Sequence, residues 1–263
     1  KDRSGGRPTM LLAIDVGNTL TDFGVFEDHH LVRTFLTESV ANKSADEYES
    51  ILLLFIQSKK LDPQKVKSVI ISSVVPSLTR VFSLVSEKLF SCKPIILGPH
   101  LKSGLLLRVD HPSEVGSDLV ADAVGGMLSY GKGLFIADLG TASKYLFIDR
   151  DGAFAGLAIA PGLAISMEAL VNRTAALPEV LWQIPAQVMG KNTKDCMNSG
   201  ITYGSAFQVK GFAESFEKEC GYPLTRILTG GNGIYVKDLL KDFVFDDSLL
   251  LRGLDEIARR KSL

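Results

Sequence analysis

A chain of 263 residues, 46% hydrophobic and 22% charged, is long enough for one large or two ordinary domains with real cores. Its net charge of −1 argues against a polycationic reader of nucleic acid or a basic membrane-surface protein, leaving at most a local basic patch. Cys92, Cys196 and Cys220 are too widely spaced for a disulfide framework or a Cys-x-x-Cys metal site, and no apolar run approaches membrane-spanning length. A cytoplasmic protein is expected.

The opening KDRSGGRPT is polar and Gly-rich, without the apolar core of a signal peptide. It reads as an expression-tag remnant over residues 1–9, with Met10 as the natural start. From Met10 an apolar run reaches Val16, a turn follows at 17–19, and alternation resumes through Phe23, Val25 and residues 31–36. Residues 44–60 carry a Ser N-cap candidate, an acidic first turn, an apolar stripe and a basic end, which predicts a helix. VKSVIISSVVP at 66–76 is a buried β-branched strand stopped by Pro76. A helix over SLTRVFSLVSEKLF, a short strand at KPIILG and a helix over SDLVADAVGGMLSYG complete the first half.

The pattern then restarts. A hairpin at 134–149 is followed by a strand at 153–159, a Pro-Gly turn at 161–162 and a helix at 163–171. A long amphipathic segment at 194–220, a strand TRILTGG and a closing helix after Gly233 end the chain. Strand triplets followed by helix–strand alternation, twice over, predict an α/β protein of two related domains, 10–131 and 132–263, with a cleft between them.

Each half opens on the same short text. LLAIDVGNTLTDFGVFED at 11–28 and LFIADLGTASKYLFIDRD at 134–151 both read apolar run, Asp, apolar residue, Gly, small polar pair, apolar run. A glycine at the turn permits close backbone approach, and the exposed turn amides form a concavity suited to an anion. Asp15 cannot face a phosphate without repulsion; its place is beside a cation or water. Asn and Thr as plain turn formers would explain one copy. Recurrence in both halves points to two phosphate-holding turns.

The pair resembles the phosphate motifs of the actin-like ATPase and sugar-kinase superfamily, and more closely those of type III pantothenate kinases. DVGNT at 15–19, HPSEVGSDL at 111–119, DLGTASK at 138–144, GLAIAPG at 156–162, AALP at 175–178, GKNT at 190–193 and LTGG at 228–231 follow that family's order and spacing. The resemblance implies two duplicated ribonuclease H-like, actin-like ATPase domains with an interdomain cleft. It implies ATP-dependent phosphorylation of pantothenate to 4′-phosphopantothenate, opening coenzyme A synthesis, in a homodimer; charge and hydropathy add the expectation of no nucleic-acid or membrane partner.

By the same resemblance, Asp15, Val16, Gly17, Asn18 and Thr19 form the first ATP phosphate loop. Gly140 and Thr141 hold phosphate from the second hairpin, and Gly230 and Gly231 lie near the nucleotide. Asp118 is implied as the general base toward the pantothenate hydroxyl, with Gly116, Ser117 and Thr193 on the substrate side. Asp138 is implied as the ligand of a monovalent cation, K⁺ or NH₄⁺, while Mg²⁺ accompanies the nucleotide with no protein ligand assignable. On their own residues, Asp118 also fits a first-turn acid and Thr193 a helix cap.

Five positions depart from the family pattern. Leu119 stands where an Arg follows the base, Val109 where an aromatic is usual, and Leu157 where a Gly-Gly pair has its second glycine. Ser143 and Lys144 replace the two final threonines of the second hairpin motif. Either Lys144 restores positive charge lost at position 119, or the chain has drifted to a nucleotide-binding regulator (Baf-type activator) or a kinase for another small alcohol. His29, His30, His100 and His111 show no paired metal spacing; His29 and His30 are expected to be solvated in a polar turn. The basic residues near 258–261 read as a helix C-terminus.

Overall fold

The computed structural model describes residues 9–98 and 101–261; residues 1–8 of the expected tag remnant, and His100, lie outside them. The chain divides into two compact units. One gathers the chain up to Leu105, His111–Leu128 and everything from Leu249; the other holds Leu106–Asp110 and Ser129–Ser248. The division is not a single cut near residue 131, because the chain returns to the first unit at its end.

The first unit is built on strands β1 (Met10–Val16), β2 (Leu20–Glu27), β3 (His30–Glu38), β4 (Val66–Ser73) and β5 (Ile95–Leu97), in the order β3-β2-β1-β4-β5. β1 to β3 form an antiparallel meander, and β4 and β5 add in parallel. Alternate residues of β1 face opposite sides. Leu12, Ile14 and Val16 join Tyr48, Leu52 and Phe55 of helix α1 (Ala45–Ser58) and Leu78, Phe82 and Val85 of helix α2 (Pro76–Phe90). Ala13 instead meets Val120 and Val124 of helix α3 (Ser117–Tyr130) and Leu254 and Ile257 of the closing helix. Burial on both faces is why β1 is almost continuously apolar.

Ser44 caps α1 as expected. Its hydroxyl accepts from the Glu47 amide at 3.3 Å while Glu47 Oε2 accepts from the Ser44 amide at 2.8 Å, so each satisfies an otherwise orphaned donor.

The second unit carries β6 (Leu106–Leu107), β7 (Leu134–Leu139), β8 (Ala142–Ile148), β9 (Ala153–Pro161), β10 (Thr225–Thr229) and β11 (Val244–Phe245). Their order is β11-β10-β7-β8-β9-β6. β7 to β9 form an antiparallel meander, and β10 and β11 add in parallel beyond β7. This is the first sheet over again, with β6 as an extra outer strand. Phe135, Ala137, Leu139 and Tyr145 pack on Ala206, Val209 and Ala213 of the long helix α5 (Thr193–Cys220), and helix α4 (Leu163–Arg173) precedes it.

Two expectations need correction. After Gly233 come two short 3-10 turns, Gly233–Tyr235 and Lys237–Leu239, and then β11; the closing helix α6 begins only at Leu249 and ends at Lys261. It crosses α3 so closely that a Cβ on Gly253 would strike the Ala121 carbonyl, which is why the last helix belongs to the first unit. His29 is also more than a solvated turn residue. At the tip of the β2–β3 hairpin its Nδ1 lies 2.9 Å from Asp255 Oδ2 of α6.

Candidate active site

In the first unit, the turn between β1 and β2 is closed by the Gly17 amide donating to the Leu20 carbonyl at 3.0 Å. Asn18 and Thr19 are exposed at its tip, where both can meet a ligand. The Val16 side chain is fully buried and its carbonyl accepts from the Val74 amide at 3.0 Å, so Val16 sets the strand end. Asp15 is half-buried and stands opposite Asp22 across the β1–β2 pair. Opposite residues of an antiparallel pair point to one face, so two carboxylates share that face of the hairpin.

Gly116, Ser117 and Asp118 lie together at the start of α3. The Ser117 hydroxyl is engaged with the end of β4: the Ser72 hydroxyl donates to it at 3.0 Å and the Ser73 amide at 3.2 Å. Ser117 therefore pins the start of α3 to the sheet. Next to it the Asp118 carboxylate folds back beside the Gly116 α-carbon, where a side chain would collide with it. Asp118 is half-buried in the first turn of its helix. Leu119 is buried, so its side chain is turned into the unit.

In the second unit, Gly140 and Thr141 form the β7–β8 turn, closed by the Gly140 amide donating to the Ala142 carbonyl at 3.1 Å. Asn232 clasps this turn. Its amide donates to the Leu139 carbonyl at 2.8 Å and its Nδ2 to the Gly140 carbonyl at 2.9 Å. The Gly162 amide, just before α4, donates to the Thr141 carbonyl at 3.2 Å. Gly230 has φ +84° and lies against Asp138 Oδ1 and the Leu139 backbone, so no other residue fits there without displacement. Gly230 and Gly231 are thereby joined to the second hairpin. Asn232 escaped the sequence reading; its only signal is that it directly follows the glycine pair.

Thr193 is exposed at the first position of α5. The cap is Asn192, whose Oδ1 accepts from the Asp195 amide at 2.9 Å, so Thr193 is not needed for capping. Val109 and Leu157 are both half-buried, Leu157 opposite Leu146 in the sheet. Ser143 keeps a hydroxyl at its position but is buried, on the sheet face opposite Lys144.

Lys144 stands directly across from Asp138, and its ammonium donates to Asp138 Oδ2 at 2.5 Å. The two side chains are 18% and 10% exposed, so this pair is largely withdrawn from water. A monovalent cation on the same carboxylate would sit beside the ammonium. Two unit charges about 4 Å apart repel by about 4 kcal/mol at an effective dielectric of about 20. With one oxygen on Lys144, the Asp138 carboxylate already holds a cationic group where the resemblance implies a monovalent cation. Among the described residues no three His, Cys, Asp or Glu side chains converge to hold a metal.

The repeated meander-plus-parallel sheet, with an Asp-x-Gly turn at the end of the central strand of each copy, is the two-domain fold shared by actin-like ATPases and sugar kinases. A Sinorhizobium meliloti structure described as a 2-dehydro-3-deoxygalactonokinase aligns with TM-score 0.61 and 14% identity, covering 95% of this chain and 96% of that one. A Campylobacter jejuni structure described as a Baf family transcriptional activator aligns with TM-score 0.60 and 17% identity, covering 95% and 98%. At such identities these likenesses concern the fold. Within that class, the family model described as type III pantothenate kinase matches residues 11–215. A Listeria monocytogenes protein named type III pantothenate kinase is 37% identical over 253 residues, 95% of this chain and 97% of that protein. The chain belongs to the type III pantothenate kinase family.

Proposed function

We propose that the chain transfers the γ-phosphoryl group of ATP to the primary hydroxyl of pantothenate, giving 4′-phosphopantothenate and ADP as the first step of coenzyme A synthesis. The observation that carries this reading is the 37% identity, sustained over 95% of the chain, to a protein of that name. Asp118 takes the hydroxyl proton as the oxygen attacks the γ-phosphorus, and the β–γ bridging oxygen leaves with ADP. Its place beside Gly116 leaves the carboxylate at the very start of α3, where no side chain of residue 116 screens it. Asn18, Thr19 and Thr141 offer polar groups to the phosphates, Gly140 shapes the second turn, and Mg²⁺ arrives with the nucleotide. Gly231 borders the nucleotide, and Gly116 and Thr193 border pantothenate.

The protein acts in the cytoplasm as a homodimer. No described helix is long and apolar enough to cross a membrane, and all three cysteines are free. Ile165, Leu181, Ile184, Val188, Met189 and Phe207 leave large apolar surfaces exposed on the second unit, as a subunit interface requires.

Pantothenate-dependent ADP release tests the reading. Asp118→Asn should lower kcat by about 10²- to 10⁴-fold while nucleotide binding persists. Bound nucleotide with no pantothenate binding at millimolar ligand would overturn it and favour a regulator or a kinase for another alcohol.

A further inference from the structure

The second hairpin already contains the positive charge that an acidic phosphate turn requires. Asp138 is the penultimate residue of the central strand of its sheet, followed by Leu139 and the Gly140–Thr141 turn, and is buried. Left alone, that carboxylate would oppose any phosphate brought to the turn. A small cation would relieve the repulsion only by occupying the free face of the carboxylate. A cation already stands there: Lys144 Nζ donates to Oδ2 at 2.5 Å, and Oδ1 is turned toward the Gly230 backbone.

We propose that the Lys144 ammonium replaces the monovalent cation in this chain, so that nucleotide binding and turnover need neither K⁺ nor NH₄⁺. The proposal rests on the kinase reading for its nucleotide, but the cation site itself can be tested without one. The geometry is favourable to a tethered charge. Lys144 is fixed in register opposite Asp138 by the β7–β8 ladder, which also pairs Ala137 with Tyr145 and Leu139 with Ser143. Its ammonium therefore sits on the carboxylate without being recruited from solvent, and salt that competes for a diffusible ion cannot displace it. Ser143, on the opposite face of the strand, offers no oxygen to a cation beside Asp138.

The test compares the wild type with Lys144→Thr and Lys144→Gln in potassium chloride and in tetramethylammonium chloride at equal ionic strength. The dissociation constant of a non-hydrolysable ATP analogue should change by less than about twofold between the salts for wild type. In the variants it should weaken by about tenfold or more in tetramethylammonium and recover in potassium. Thallium(I) NMR without nucleotide gives a second readout: line broadening should be absent with wild type and appear with whichever variant folds. A wild type that broadens the thallium line, or loses tenfold in nucleotide affinity without potassium, overturns the proposal. Failure of nucleotide to bind in any salt, with the thallium result as expected, would count against the kinase reading and leave the replaced cation site standing.

Discussion

The β1–β2 and β7–β8 hairpins share a topology and differ in charge. In the first, Asp15 faces Asp22 across the pair; in the second, Asp138 faces Lys144. Both acids are the penultimate residue of the central strand of a sheet buried on each side, and both precede a turn with glycine at its start. The fold therefore determines where the acid stands, while one residue on the return strand decides whether its counter-charge is local. The first hairpin supplies none across its own pair. The second is neutral within itself, and its neutrality is held by Gly230 behind the carboxylate.

The largest effect should come from breaking that local neutrality. Asp138→Ala leaves the Lys144 ammonium, 18% exposed, without its carboxylate. Removing one partner of a mostly buried pair costs about 3–5 kcal/mol. Asp138→Ala combined with Lys144→Met should regain most of that loss, because two apolar side chains need no partner. Urea unfolding of the single and double variants measures both. A double variant no more stable than the single would show that the pair is not what distinguishes the second hairpin.

A smaller effect is expected behind the pair. Gly230→Ala places a methyl group on Asp138 Oδ1 and the Leu139 backbone at a left-handed φ of +84°. Strain and displacement together should cost about 2–3 kcal/mol, a fall of about 4–12 °C in Tm for a chain of this size. Gly231→Ala meets nothing within 4 Å and should leave Tm unchanged. Equal losses at the two positions would mean that the Gly-Gly turn, and not its contact with Asp138, is the sensitive element.

Much of this arrangement can be read without coordinates, and the part that cannot has a physical cause. The doubling of the fold is visible because each copy must begin on the same buried strand and glycine turn. The Asp138–Lys144 pair is readable in principle: in a tight hairpin centred on Thr141, residues three places to either side oppose each other. What hid it was the expectation that Lys144 would answer a charge missing at position 119, a comparison between halves when the partner lay within one hairpin. The resemblance puts Ser117 on the substrate side, and the structure adds a structural task for that residue. Its bonds to Ser72 and Ser73, 45 and 44 residues away, join segments that no local pattern connects. The closing helix was misplaced for a similar reason. The text after Gly233 is apolar enough for a helix, but the chain spends it on two short turns and an edge strand before returning to α3.

The units also part company in acid, and this is the smallest of the expected effects. In the second unit, hydrogen bonds from Arg226 hold the Glu217 carboxyl below its ordinary 4.5, against a lesser upward push from burial. The guanidinium reaches both oxygens, Nη2 to Oε2 at 2.6 Å and Nε to Oε1 at 3.1 Å, tying the end of α5 to β10. That stabilisation is complete above pH 4.5 and is lost as pH falls through the lower folded value. In the first unit, burial pushes the Asp255 carboxyl above its ordinary 3.8, opposed by the hydrogen bond to His29. The folded unit takes up that proton more readily than the unfolded chain, so acidification toward pH 3.8 favours it. Amide hydrogen exchange from about pH 6 to about pH 3.5, corrected for intrinsic rates, should show β10 losing protection faster than α6. Glu217→Gln should remove about 1 kcal/mol of the β10 slope, and Asp255→Asn should remove the opposing trend at α6. Parallel losses at the two elements in the wild type would mean that the units answer acid as one, and that the contrast between them stops at their hairpins.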